Sequence, residues 1–492
     1  MRSTPPRLAG VALAVAVLAA TCADDADDSA APPTTEAAPT GEAAATSGEG
    51  DTEADAPAGE GDAEADAPAG DGVESDARWA DGDSSVLFDQ AQLHTYELTL
   101  SDEDLAFLDA EPTAEEYVPG TLTFDGETVE NVGIRYKGSI GAFFSCVSGG
   151  GFPNLGELDG EKTCRKLSMK VKINFEGQDR RFYDVRRLQF HAMGNDASLM
   201  HERLGYLMYR SMGIAAPRAV HARLVINGEF VGVFALVEQI DGRFTRENWD
   251  EGGGNLYKEV WPIIDGRAAN DAELFSGLKT NEDEDPSFDQ VQRFGDAMAS
   301  ADEDDRGDTL RRFMSVDEVA AYVAVDRTIG NDDGAFHIYC FTPGEPCSPH
   351  NFYWYEDPAR GTMHLIPWDL DHAFGNLISP ANPVTPLSDP FGEISNDCRP
   401  QGGVFPQISS ACDPILDAFA SFEAETAAQT EAFLAGPFAA EATDALLDAW
   451  TEQIRTSLEE EADLHGDVSV NRWEQSVDYL RRQLDWARDQ AG

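Results

Sequence analysis

Ala222-Arg223-Leu224-Val225-Ile226, then Asn227-Gly228, then Glu229-Phe230-Val231-Gly232-Val233-Phe234-Ala235-Leu236-Val237 is the stretch whose reading decides the fold. Two runs rich in β-branched and aliphatic residues flank Asn-Gly. A two-residue type I′ turn prefers that dipeptide because both of its central residues take positive φ. The stretch therefore predicts a β-hairpin. Working upstream, Leu122 to Tyr136 predicts a second hairpin turning at Asp125-Gly126, and His94 to Leu100 alternates as a strand. From Lys166 to Phe175, Leu167, Met169, Val171, Ile173 and Phe175 share one face; Ser168, Lys170, Lys172 and Asn174 share the other. A helix is predicted next, with Ser198 as its N-cap and Gly213 as its stop.

Downstream the pattern changes. Residues 266 to 310 are acidic and loop-rich, with one helix predicted near Phe288 to Ala299. Val316 to Ile329 has helical spacing, Phe352 to Tyr355 and Met363 to Ile366 read as paired strands, and Pro414 to Gln490 reads as amphipathic helices. A strand-rich half followed by a helix-rich half with a small hairpin predicts an α+β arrangement of two lobes with a cleft between them. A chain of 492 residues is long enough for that and a tail.

The tail is at the N-terminus. Arg2 and Arg7 precede an apolar run, Leu8 to Ala20, too short to span a bilayer comfortably, and Cys22 follows almost at once. Residues 1–22 thus read as an export signal of lipoprotein type, in which Cys22 would be lipidated, with a plain secretory signal as the alternative. Residues 23–84 are Ala, Asp, Glu, Pro, Thr and Gly, and Ala54-Asp55-Ala56-Pro57-Ala58-Gly59 recurs as Ala65-Asp66-Ala67-Pro68-Ala69-Gly70. Such a segment buries too little apolar surface to offset its ordering entropy, so a disordered acidic tether is expected. The net charge of −56 would repel phosphate backbones, which argues against nucleic acid as a partner and leaves the lipid anchor as the one membrane contact. Setting Cys22 aside leaves six cysteines in local pairs, Cys146 with Cys164, Cys340 with Cys347 and Cys398 with Cys412. Neighbours closing short disulfide loops is the simplest reading for an exported chain.

The residues suited to chemistry gather late in the chain: Asn331-Asp332-Asp333-Gly334, His350-Asn351-Phe352-Tyr353, and Ile366-Pro367-Trp368-Asp369-Leu370-Asp371. Carboxylates and an Asn at strand ends are the hard oxygen ligands that magnesium takes, with room left for water and phosphate. Asp369 and Asp371, two apart on an extended segment, would face one ion. His337, His350, His364 and His372 crowd this region without a metal-binding spacing and read as hydrogen-bonded structural residues. No Gly-x-x-x-x-Gly-Lys-Ser/Thr or Gly-x-Gly-x-x-Gly loop occurs in the sequence, nor a Gly-x-Ser-x-Gly elbow or a His-Glu-x-x-His pair.

Arg135-Tyr136-Lys137-Gly138 resembles the Arg-x-Lys-Gly element of the CotH kinase family, the spore coat protein H-like proteins. Asn227 to Asp241 resembles that family's long hairpin. Asn331 to Gly334, His350 to Tyr353, and Pro367 to Asp371 with Phe374-Gly375 resemble its later motifs, in the same order. The resemblance covers Leu93 to Gly375, with a weaker echo at Trp473 to Arg488. It implies an atypical protein-kinase-like domain over residues 85–412, with an N-lobe (85–265) and a C-lobe (266–412) that bind ATP between them. Residues 413–492 would be helices packing on the C-lobe. In that scheme Asp333 is the catalytic Asp, Asp369 or Asp371 holds magnesium or manganese, and Asn351 is an accessory metal or phosphate residue. Lys170 is the first choice for the phosphate lysine, with Lys172 next and Lys166 behind it; Glu202 would be its ion-pair partner and Trp368 would border the nucleotide.

The activity so implied is phosphoryl transfer from ATP to a Ser or Thr of a surface or secreted protein, by an enzyme in the cell envelope. ATP is scarce there. The alternative is a non-catalytic surface scaffold or adhesion module in which the same acids bind calcium. Two departures from the family stand out: an insert carrying Cys340 and Cys347, and Cys146 and Cys164 around Gly149-Gly150-Gly151, where a phosphate-covering loop would sit.

Overall fold

The computed structural model describes residues 79–80, 82–138, 142–143, 146–149, 160–282, 286–340, 347–374, 398–400 and 406–492. The expected signal with Cys22, nearly all of the tether, and Gly150, Gly151 and Gly375 lie outside these residues. In chain order the elements are β1 (His94–Thr99), α1 (Asp102–Ala110), β2 (Val118–Phe124), β3 (Glu127–Tyr136), β4 (Met169–Lys172), β5 (Arg187–His191), α2 (His201–Ser211), β6 (Ala219–Ile226) and β7 (Glu229–Val237). There follow α3 (Gly242–Asn248), β8 (Leu256–Lys258), β9 (Ile263–Ile264), β10 (Arg267–Ala268), α4 (Asp271–Ser276), α5 (Asp289–Ala299), α6 (Arg306–Leu310) and α7 (Val316–Ile329). The rest are β11 (Ile338–Tyr339), β12 (Phe352–Asp357), β13 (Thr362–Pro367), β14 (Gln407–Ile408), α8 (Pro414–Ala420), α9 (Glu423–Ala435), α10 (Ala440–His465) and α11 (Val470–Ala491). The class is α+β.

The first seven strands close into a barrel in the order β1-β2-β3-β4-β5-β7-β6. Closure depends on a parallel pairing of β1 with β6, His94 opposite Ala222 through Leu98 opposite Ile226. Both predicted hairpins form. Asn227 and Gly228 take φ of 49° and 81°, and Asp125 and Gly126 take 50° and 80°, the positive values that the turn type demands. The opening hairpin is buried on both faces. Phe234 and Leu236 point into the barrel core with Tyr96, Phe124 and Phe190, while Val233, Ala235 and Val237 belong to a second core. That is why its sequence is nearly continuous in apolar residues, since polar alternation is expected only where one face meets water.

The second core holds α2, α5, α7, the C-terminal helices and a three-stranded sheet, β13-β12-β8. β12 and β13 pair antiparallel, Phe352 opposite Pro367. Two local expectations are revised. The strand expected over 166–175 is paired only over Met169–Lys172; the chain then curls, with Glu176 at a φ of 52°. The helix expected to be capped by Ser198 begins instead at His201, whose N–H is held by the Asp196 carboxylate at 2.8 Å. The helices after Pro414 do not pack on the second half alone, because α10 also lies against β7. Disulfides join Cys146 to Cys164, Cys340 to Cys347 and Cys398 to Cys412. No helix among the described residues is long and apolar enough to cross a membrane.

Candidate active site

A cleft opens where the ends of β3 and β5, the start of α2 and the segment after β13 converge. Its walls include Lys137, Lys166, His191, Asn195, Glu202, Trp368, Asp369 and Asp371. Lys137 follows β3 directly. Its ammonium lies 3.1 Å from Gln189 Oε1 and 2.9 Å from His191 Nε2, and the other ring nitrogen of His191 lies 2.8 Å from Glu202 Oε1. The cation also sits 5.6 Å from the centre of the Trp368 ring. Lys137 and Glu202 are thus linked through a histidine.

The β12–β13 hairpin delivers the acids. Its open end places Asn351 beside Trp368, whose N–H donates to the Asn351 carbonyl at 3.2 Å. Asn351 and Asp369 both take left-handed φ, 57° and 52°, a conformation that costs a side chain energy and concentrates at functional sites. The Asp369 N–H donates to Tyr206 Oη on α2 at 3.0 Å, and Gly205 lets Leu370 approach so closely that a Cβ there would meet Leu370 Cδ1 at 2.9 Å. Burial pushes the Asp369 carboxyl well up, and repulsion from Asp371 and Glu202 adds to it against the pull of Lys137. Burial raises Asp371 too, partly offset by His372 and by the Asn195 amide, which donates to Asp371 Oδ2 at 3.1 Å. Asp371 Oδ1 is buried and accepts no hydrogen bond; His372 Nε2 stands 3.8 Å away.

Asp333 follows the left-handed cap of α7 at Gly330. Its side chain is fully buried, within hydrogen-bond reach of His350 Nε2 at 2.8 Å, and accepts from Asn351 Nδ2 at 3.0 Å. Burial works against a charged His350, yet the Asp333 carboxylate outweighs it and raises the imidazole above its usual range. Asp333 is close enough for its charge to push Asp369 and Asp371 upward. Three of the crowded histidines have polar partners: besides His350, His337 faces Gln407 at 3.1 Å and His364 faces Glu318 at 2.9 Å. Both ring nitrogens of His372 are buried without a hydrogen bond.

The structure therefore brings together Glu202, Trp368, Asp369, Asp371, Asn351 and Asp333. It places two other expected residues elsewhere. Lys170 lies on β4 between Arg135 and Gln189 in register, and Lys172 stands 5.5 Å over the Tyr117 ring; neither lines the cleft. Lys166, the third lysine expected, does line the cleft but spends its ammonium on the Val233 carbonyl; the other lysine there is Lys137, from the Arg-x-Lys-Gly element. Its sequence signal is that motif, which marks the lysine without assigning it to phosphate. Asn195, His191 and His350 were likewise missed as site residues: the first two sit in stretches with no recognisable motif, and the third was read as structural. Among the described residues no three His, Cys, Asp or Glu side chains form a ready-made metal cage.

The model of the CotH kinase protein family matches residues 134–489, which include every residue of this site. The chain is also 22% identical over 296 residues to the inner spore coat protein H of Bacillus subtilis (strain 168), covering 59% of this chain and 71% of that protein. The match spans most of the barrel, the cleft and the C-terminal helices together, and on that extent the chain belongs to the CotH kinase protein family.

Proposed function

We propose that this protein is a phosphotransferase of the cell envelope, moving a phosphoryl group from ATP to a Ser or Thr hydroxyl of a surface protein, in a two-lobed kinase-like fold. The observation that carries this reading is the meeting, at one cleft, of a held lysine and an acid pair that repels itself, with a separate buried Asp close enough behind them for its charge to act on that pair. Its membership of a family that includes a spore coat protein, and its three disulfides, support an extracytoplasmic place of work.

The residues fit a nucleotide with a divalent ion. Asp369 and Asp371 offer hard oxygens, one of them buried without a hydrogen bond, and their mutual repulsion is relieved by a cation. Two carboxylates without a full protein cage suit magnesium or manganese, which keep waters and phosphate oxygens in their shell. Bound ATP with its ion supplies the phosphoryl group and the charge that neutralises its oxygens. Lys137, oriented by Gln189 and His191, contacts phosphate; Trp368 borders the base; Asn351 adds an oxygen near the ion. Asp333 accepts the proton of the acceptor hydroxyl, with His350 and Asn351 fixing its carboxylate.

The test is thermal unfolding of the full chain with ATP and magnesium or manganese, separately and together, followed by transfer from labelled ATP. The expected result is a joint shift that Asp369→Asn removes, with transfer reduced about 10²–10⁴-fold by Asp333→Ala. A shift with metal alone, calcium included, and no transfer would instead establish a scaffold that binds ions.

A further inference from the structure

The C-terminal helices reach the residues behind the cleft walls from far along the chain. Glu461 on α10 has a side chain only 1% exposed, and it docks on β7 at Gly232. Gly232 takes a φ of +148°, and a Cβ there would lie 2.6 Å from Glu461 Oε1, so the carboxylate fills the space a side chain would need. Its other oxygen accepts from the Val233 N–H at 3.0 Å. Arg165 donates to Glu461 Oε1 at 2.7 Å and also to the Val231 carbonyl. Lys166, a wall of the cleft, donates to the Val233 carbonyl and lies 3.9 Å from the same carboxylate. One acid thus closes a knot of two cations and a β-bulge behind the Lys166 wall.

α11 holds a second part of the wall. The Trp473 indole N–H donates to the Ser198 carbonyl at 2.9 Å. The same loop supplies Met193, Gly194 and Asn195 to the cleft, and Asn195 holds Asp371.

We propose that Glu461 is a positioning residue for the nucleotide cleft, which α10 and α11 hold open to a fixed width by anchoring the Lys166 wall and the Asn195 loop. The chemistry rests on the reading of the cleft as a nucleotide site, but the coupling itself is readable without nucleotide. Hydrogen exchange of the full chain is compared for wild type, Glu461→Gln, Gly232→Ala and Glu460→Gln. Glu460 is a half-exposed neighbour paired with Arg223 and serves as the control. Glu461→Gln and Gly232→Ala are expected to speed exchange over 164–170 and at Val233, with strands 94–99 and 118–124 unchanged. In the same two variants the KM for ATP rises about tenfold, the loss of one charged hydrogen bond, with kcat little altered. Trp473→Phe, which keeps the ring but removes the donor, is expected to loosen 192–200.

Unchanged exchange at both walls overturns the proposal. So does loosening of the whole barrel, which would make Glu461 a general stabiliser, or an equal response to Glu460→Gln. Wall loosening in a protein that never binds ATP would sustain the coupling and sink the nucleotide reading alone.

Discussion

Glu238, almost wholly buried, and the Asp369–Asp371 pair, partly open to the cleft, are acids held on opposite terms. Glu238, just past β7, accepts from the Arg218 N–H at 2.9 Å, from its Nε at 3.0 Å and from its Nη2 at 2.5 Å, and also pairs with Arg243. Burial alone would raise its pKa, but the Arg218 hydrogen bonds and the charges of Arg218 and Arg243 outweigh it and hold the carboxyl below its usual range. The cleft acids have each other for neighbours, and both are pushed up. A buried charge with its counter-charges built in is a structural joint. The cleft acids are instead set against one another, a repulsion that the proposed cation would relieve.

Cutting each group out should have opposite consequences. Glu238→Ala leaves Arg218 and Arg243 only the part-exposed Glu247 as a carboxylate partner, and is expected to lower unfolding free energy in urea by up to about 3–5 kcal/mol. Asp369→Asn, without metal or nucleotide, should unfold at or above the wild-type midpoint, because it removes a repulsion. If Asp369→Asn is as damaging as Glu238→Ala, the cleft acids are structural and the contrast fails.

Glu356 on β12 is an intermediate case, a buried acid with neither an arginine nor another acid against its carboxyl. Burial raises its pKa to about 7 from an ordinary 4.5, against hydrogen bonds from groups including Tyr257 and Asn255. Between those values the folded chain binds a proton that the unfolded chain has released. Its contribution is therefore complete below about pH 4.5 and is lost as pH rises through 7, by up to roughly 3 kcal/mol. Comparing urea midpoints at pH 5 and pH 8 in wild type and Glu356→Gln checks this, since the variant should lose that part of the slope.

The smallest effect belongs to the surface. Arg360 and Asp250 meet at 2.8 Å with side chains 59% and 83% exposed. A double-mutant cycle should return less than about 1 kcal/mol, because water and salt screen the pair. A value near that of Glu238 would show that burial is not what separates these groups.

Much of the fold was legible because it is local. Asn227-Gly228 and Asp125-Gly126 turn where their dihedral preferences allow, α7 begins at Ser315 and ends at Gly330, and each disulfide joins neighbours. The acids of the site were legible for the same reason, since Trp368 to Asp371 and Asn351 sit at the ends of one recognisable hairpin. Strand alternation points to Lys170, with Lys172 and Lys166 behind it, because it places a side chain on a face without saying what that face meets. β4 carries Lys170 between Arg135 and Gln189, whereas the end of β3 carries Lys137 to the cleft.

By itself, then, the amino-acid sequence determined the hairpins, the helices of the second half, the α+β class and which acids would lie together, since each depends on preferences within a few residues. Tertiary structure alone decided the closure of β1 on β6, the choice of Lys137, the His191 link to Glu202 and the docking of Glu461 at Gly232. The longest of those contacts joins segments 228 residues apart, and no local preference encodes a partner whose position is set only when the barrel closes and the last helices pack.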